Sequence, residues 1–204
     1  PDNELYEFLS GLLSEYKLLK KILLVPPDLT RMHSKAGIIS AFIYNMLKED
    51  CVIDILPALG THEPMSREEC NLFFENQIPY ESVIKHDWRS DVVNIGEVPG
   101  EFVEVVSESK LNFPVNVDIN KILLDSSYDL ILSIGQVVPH EVIGMANYSK
   151  NLLVGCGGQE IINKSHYLGA VFGMEKIMGK DFSPVRKIFD YAQENFLNGL
   201  PILY

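Results

Sequence analysis

Cysteine is scarce in this chain and unpaired: Cys51, Cys70 and Cys156 are the only three, and no CxxC spacing occurs. An odd, scattered set argues against a disulfide framework and for a reducing compartment, by default the cytoplasm. Positive charge is also short, with 17 Lys and Arg against 28 Asp and Glu and a net charge of −11. The longest basic run is Lys20-Lys21, so a nucleic-acid surface, which needs a basic stripe, is not expected. The longest strongly apolar stretch, "GIISAFIYNML" over 37–47, falls far below the roughly 20 residues of a membrane span. The N-terminal "PDNELYEF" is acidic, unlike a signal peptide. HExxH and GxSxG are both absent, which removes the commonest zinc-protease and serine-hydrolase patterns.

What remains is ample core material. With 204 residues and 47% hydrophobic content, the chain has enough for one α/β domain, read here as spanning 1–204. It starts at Pro1 and ends on the apolar "NGLPILY", and is read as a piece of a longer protein. Leu5, Phe8, Leu9, Leu12, Leu13 and Tyr16 fall at helical spacing, predicting a helix over 4–18. "KILLVPPD" (21–28) and "CVIDILPA" (51–58) are short continuous apolar runs, the pattern of strands buried on both faces. Ser34 opens a predicted helix over 34–49, and Ser66 with Glu69 forms a capping box for another over 67–76.

Alternation over 91–98, 101–108 and 113–120 predicts a small β-hairpin insertion around 90–120, before "DLILSIGQV" (129–137) returns as a buried strand. Helices are expected over 157–178 and, with Pro184 in its first turn, up to about residue 197. Strands alternating with helices predict an α/β fold with a mostly parallel sheet, Rossmann-like, and flanking helices.

In such sheets ligands bind beyond the carboxyl ends of the strands. The polar residues gather there: Asp28, Thr30, Arg31 and His33 after the first strand, Thr61 and His62 after the second, Gln136 and His140 after the later one. Three strand ends thus each supply an acid, a base or an anion clamp. Each also has a plainer role, Asp28 as a helix cap and Cys156 as a small core residue. "GCGG" (155–158) is a weak phosphate-loop pattern, lacking GxGxxG spacing. His86, in "KHDW", is read as structural or peripheral.

Taken in order, "PPDLTR", "LGTHEPMS", "GQVVPH", Lys150 ten residues after His140, and His166 sixteen after Lys150 resemble the N-terminal domain of the nickel-dependent lactate racemase family. The resemblance implies a racemase or epimerase of a 2-hydroxyacid that uses a nickel-pincer nucleotide, a pyridinium mononucleotide holding nickel through two thiocarboxyl sulfurs and a ring carbon. It implies Lys150 as the covalent tether, His166 as the metal ligand, and His62 and His140 as the catalytic acid/base pair. Asp28 and Arg31 fall at the substrate site, and the glycines Gly155, Gly157 and Gly158 beside the cofactor. The family's C-terminal domain is absent from this chain, so the resemblance implies that this chain alone is inactive and that its partners are that domain and the cofactor maturation enzymes.

The chemistry suits those residue types. The α-hydrogen of a hydroxycarboxylate is poorly acidic beside an anion, and leaves more easily as hydride while a base takes the hydroxyl proton. Imidazole, with a pKa of about 6.5, accepts and returns protons at neutral pH. Side chains do not accept hydride, so a cofactor must. This chain departs from the family pattern at Glu63 and Gln136, where arginines are usual, and at "MANYS" (145–149), where glycines precede the lysine. Two other readings fit the same residues: a metal-assisted hydrolase using His62, His140 and His166, and a nucleotide- or metal-binding module without turnover.

Overall fold

The two apolar runs predicted as buried strands form β1 (Lys21–Val25) and β2 (Val52–Ile55), paired in parallel. In this computed structural model, which describes residues 2–16 and 18–204, β1 is central. On its other side it pairs in parallel with β5 (Leu130–Ser133), and β5 with the short β8 (Ile202–Leu203). The four-stranded sheet runs β2-β1-β5-β8. Alternate residues of β1 go to opposite faces: Leu23 and Val25 join one core cluster, Ile22 and Leu24 the other. β1 is buried on both faces and reads as an unbroken apolar run, each such side chain contributing about 1.5–3 kcal/mol. The edge strand β2, expected to be buried on both faces, buries only Ile53 and Ile55, with Val52 exposed and Asp54 half-buried.

On one face lie α1 (Asp2–Ser14), α2 (Ala36–Leu47) and α3 (Arg67–Phe73), whose Leu13, Ile43 and Phe73 share a cluster with Ile22 and Leu24. The helix predicted over 4–18 is α1, although residue 17 lies outside the described residues. The capping box at Ser66 and Glu69 starts α3 as predicted. The helix predicted from 34 starts two residues later, because Lys35 takes a left-handed conformation (φ 59°) at its N-cap. Gly37 is required where α2 meets α3, since a Cβ there would stand 2.0 Å from the Phe73 carbonyl oxygen. Gly37→Ala is expected to lower stability by about 1–3 kcal/mol, seen as a lower urea midpoint at unchanged slope. An unchanged midpoint would mean the two helices part at no cost.

The other face carries the hairpin of β3 (Val92–Val98) and β4 (Val115–Asn120), with α5 (Gln159–Phe172) and α7 (Pro184–Ala192) packed against it. Between the hairpin strands, residues 101–108 are not a strand but belong largely to α4 (Gly100–Val106). Phe102, Val103, Val105 and Val106 satisfy both periodicities. Val103 and Val106, three apart, enter the core, while Val105 stays exposed. The helix predicted over 157–178 is broken at Gly173 (φ 86°), leaving α5 and the one-turn α6 (Met174–Ile177). Pro184 does sit in the first turn of α7, which ends in a π-helical turn, Gln193–Leu197. No helix among the described residues is long and apolar enough to cross a membrane.

Candidate functional site

A cavity of about 280 Å³ opens at the carboxyl ends of β1, β2 and β5. Its walls come from the loops after those strands, from the short antiparallel pair β6 (Pro139–His140) and β7 (Gly144–Met145), and from α5. Parallel register brings the ends of β1 and β2 side by side, so loops 34 residues apart in sequence meet. Asp28, Arg31, His62, His140, Lys150, Gly155 and His166 all line this one cavity. Gly157 and Gly158 do not: a Cβ on Gly157 would meet the Leu153 carbonyl oxygen, and one on Gly158 the Asp118 side chain at 2.7 Å. Those glycines allow close approach of protein to protein. Gly155 does the same against Ala58, while its carbonyl accepts from the Gly60 N–H at 2.8 Å.

Asp28 has two roles, one for each oxygen. Oδ1 accepts from the Thr30 N–H at 3.1 Å and from its hydroxyl at 2.5 Å, capping the 3₁₀ turn Leu29–Ser34. Oδ2 lies 2.5 Å from Nδ1 of His62. The carboxylate accepts only if Nδ1 carries the proton, so the Nε2 lone pair of neutral His62 is free. His140 is set the opposite way: its Nδ1 accepts from the Val142 N–H at 3.2 Å. Its proton therefore sits on Nε2. His166 holds Nδ1 2.6 Å from the Ile162 carbonyl oxygen, one helical turn back. This requires Nδ1–H and presents a bare Nε2, the arrangement seen in metal-ligating imidazoles.

Two cations complete the cavity. Among the described residues, neither the Arg31 guanidinium nor the Lys150 ammonium has a side-chain hydrogen bond or ion pair. Asp28, by contrast, is engaged by Thr30 and His62, and Glu141 stands exposed, 3.7 Å from His140. Burial, then the nearby Arg31 charge, pushes the Lys150 amine below its ordinary range. Burial, then the charge of Lys150, pushes His140 down to about 4. Both shifts move these groups toward their neutral, lone-pair-bearing forms.

"MANYS" contains a left-handed turn of the kind glycine makes most readily: Asn147 and Tyr148 sit at φ 70° and 53°. Left-handed backbone costs about 1–2 kcal/mol per non-glycine residue. Hydrogen bonds hold it in place. The Asn147 amide donates to the Gly135 carbonyl (3.1 Å) and accepts from the Asn151 amide (2.9 Å), while buried Arg186 donates to the Asn147 carbonyl at 3.2 Å. Sequence reasoning missed Asn151 and Arg186. The i, i+4 spacing of Asn147 and Asn151 was the available signal. Gln136 lines the cavity, whereas Glu63 lies on an adjoining cleft with Asp28, His62, Met65 and Glu69.

His86 is buried and outside the cavity, as a structural reading expects. Its Nε2 donates to the Gly157 carbonyl (3.1 Å) and its Nδ1 accepts from the Asn120 amide (3.0 Å). Burial lowers its pKa. For His86 and His140 the folded pKa lies below the unfolded value of about 6.5. Stability is therefore complete above that pH and falls as pH drops through it toward each folded value. The expected loss approaches about 1.4 kcal/mol per pH unit for His140, with His86 adding in the same direction, to be read from urea midpoints between neutral and mildly acid buffer. A flat profile would contradict it.

The cysteines are all buried and free, and burial raises the Cys156 thiol far above a reactive range. No group of three or more His, Cys, Asp or Glu side chains placed to hold a metal occurs among the described residues. His33 also lines the cavity, and of His62, His140 and His166 only the first and last present a bare Nε2.

Fold and site together define an α/β domain with its cavity at the strand ends, lined by unpaired cations and imidazoles. The family model of the lactate racemase N-terminal domain matches residues 11–178, and the chain belongs to that family. A crystal structure of a protein from Thermotoga maritima is similar at 26% identity and TM-score 0.86, over 95% of this chain and 47% of that one. The lactate racemase apoprotein from Thermoanaerobacterium thermosaccharolyticum shares the fold at TM-score 0.60 and 20% identity, over 86% of this chain and 40% of its own. The chain thus spans less than half of either solved chain. No curated protein sequence matches it significantly.

Proposed function

We propose that this chain is the N-terminal, cofactor-holding part of a racemase or epimerase acting on a 2-hydroxyacid. One observation carries the reading: His62 and His140 line a single cavity with opposite tautomers, between two unpaired cations. Arg31 supplies a donor fork for a carboxylate. The free Nε2 of His62 takes the hydroxyl proton, and the Asp28 carboxylate steadies the imidazolium that results. Nε2–H of His140 donates a hydrogen bond to a substrate oxygen from a second wall of the cavity. The planar oxo acid left after hydride loss has two equivalent faces, so return to either face gives either hand.

The donor set fits the nickel-pincer nucleotide. Lys150 has an amine free of partners among the described residues, and His166 a bare Nε2 for a metal that brings most of its own donors. When bound, that group supplies the hydride-accepting chemistry. Glu63 and Gln136 remove two positive charges from the neighbourhood, which favours a substrate other than lactate, such as a hydroxyl-rich sugar acid. A second domain in the full-length protein closes the cavity, and the cofactor maturation enzymes load it in the cytoplasm. The test is chiral chromatography of single-enantiomer 2-hydroxyacids and sugar acids incubated with the loaded full-length protein. Interconversion of at least one is expected; a loaded protein that converts none overturns the proposal.

A further inference from the structure

The cavity poses a chemical question that hydroxyacid isomerisation leaves aside: what does it do before anything is attached to Lys150? It is small, about 280 Å³, and holds two cations without partners among the described residues. One of them, Arg31, is permanently charged and shaped for a carboxylate. The other is an amine largely removed from water, and the Arg31 charge beside it disfavours protonation. A desolvated lysine next to a second cation is the environment that makes an amine nucleophilic toward carbonyl carbon. His62 stands on the same cavity with a free Nε2, and His140 with Nε2–H. Carboxylate clamp, nucleophile, proton carrier and oxygen-directed donor together describe a receptor for a small compound bearing both a carbonyl and a carboxylate.

We propose that, in the chain with no group on Lys150, this amine condenses reversibly with small 2-oxo carboxylates to form an imine in the cavity. The Nζ lone pair attacks C2 while the carbonyl π pair moves to oxygen, giving a carbinolamine. Nε2 of His62 carries a proton from nitrogen to that oxygen. The hydroxyl then departs with the second amine proton as water, leaving C=N. Both amine hydrogens leave in the water, and nothing is oxidised or reduced. The carboxylate lies on Arg31, and Nε2–H of His140 is hydrogen-bonded to the oxygen as it leaves. A 2-oxo acid thereby occupies the lysine that cofactor loading requires, so oxo acid and loading compete. The imine rests on the cavity alone, while its competition with loading rests on the proposed function.

The experiment uses full-length protein shown by intact mass to carry nothing on Lys150. It is incubated with pyruvate and sodium cyanoborohydride, which reduces the imine to a stable secondary amine. Peptide mapping is expected to place one adduct per chain on Lys150, formed about tenfold or more faster than on any surface lysine. Arg31→Met is expected to slow pyruvate labelling of Lys150 about tenfold more than it slows labelling by uncharged acetaldehyde, which loses only the effect of the Arg31 charge on the amine. Labelling spread evenly over the surface lysines, or an Arg31→Met protein that takes pyruvate as fast as the original, overturns the proposal. Mapping on the unaltered protein decides the first point even if the variant does not fold. Adduct formation without hydroxyacid interconversion sinks the isomerase reading alone, and the reverse result sinks this one alone.

Discussion

Lys150→Ala, made in the full-length protein and co-produced with the maturation enzymes, is expected to carry no covalent cofactor and to show no turnover. The amine has no structural partner among the described residues and lines the cavity, so its loss leaves the fold intact. The left-handed turn that positions it is held by Asn147, Asn151 and Arg186, none of which contacts the lost group through a hydrogen bond. A melting temperature close to that of the unaltered protein, with the mass of the bare polypeptide, is the expected pair of results. Covalent cofactor retained in this variant would refute the assignment of Lys150.

His62→Ala is expected to separate attachment from chemistry. Its proposed task is proton transfer, worth typically about 10²–10⁴-fold in rate. Turnover should fall by that factor, with KM changed far less because Arg31 still binds the carboxylate. The covalent mass on Lys150 should be unaltered. The side chain is more than half exposed, so no packing defect is expected to confuse the result. An unchanged rate would remove His62 from the mechanism.

How much of this was legible in the sequence follows from what each signal depends on. β1 and β5 were visible because strands buried on both faces have almost no polar positions to interrupt them, while β2, half-buried and carrying Asp54, was visible through Ile53 and Ile55. β8 was not: it is two residues long, and only its pairing to Ile131 and Leu132 defines it. The segment 101–108 was misread because valines at 103, 105 and 106 fit two periodicities, and only packing chooses between them. Gathering polar residues at three strand ends was enough to name eight of the residues that line the cavity, since parallel topology dictates where those ends meet. Which nitrogen of each histidine carries its proton depends on its partner in the fold, on Asp28 from another loop for His62 and on the Val142 N–H two residues on for His140. Residue type alone does not say this. The glycines of 155–158 were legible as a tight region, but their tightness serves contacts with Ala58, Leu153 and Asp118.

Functional groups are commonly a burden on the fold that carries them, and variants selected for robustness tend to shed them. Asp28 escapes that conflict. One of its oxygens ends the unsatisfied amides of a helical turn while the other fixes the tautomer of His62. Under the proposed function, removing it would weaken the molecule and disarm it in a single step. Selection for stability therefore guards this position as firmly as selection for activity, and a collection of thermally hardened variants should still carry aspartate there.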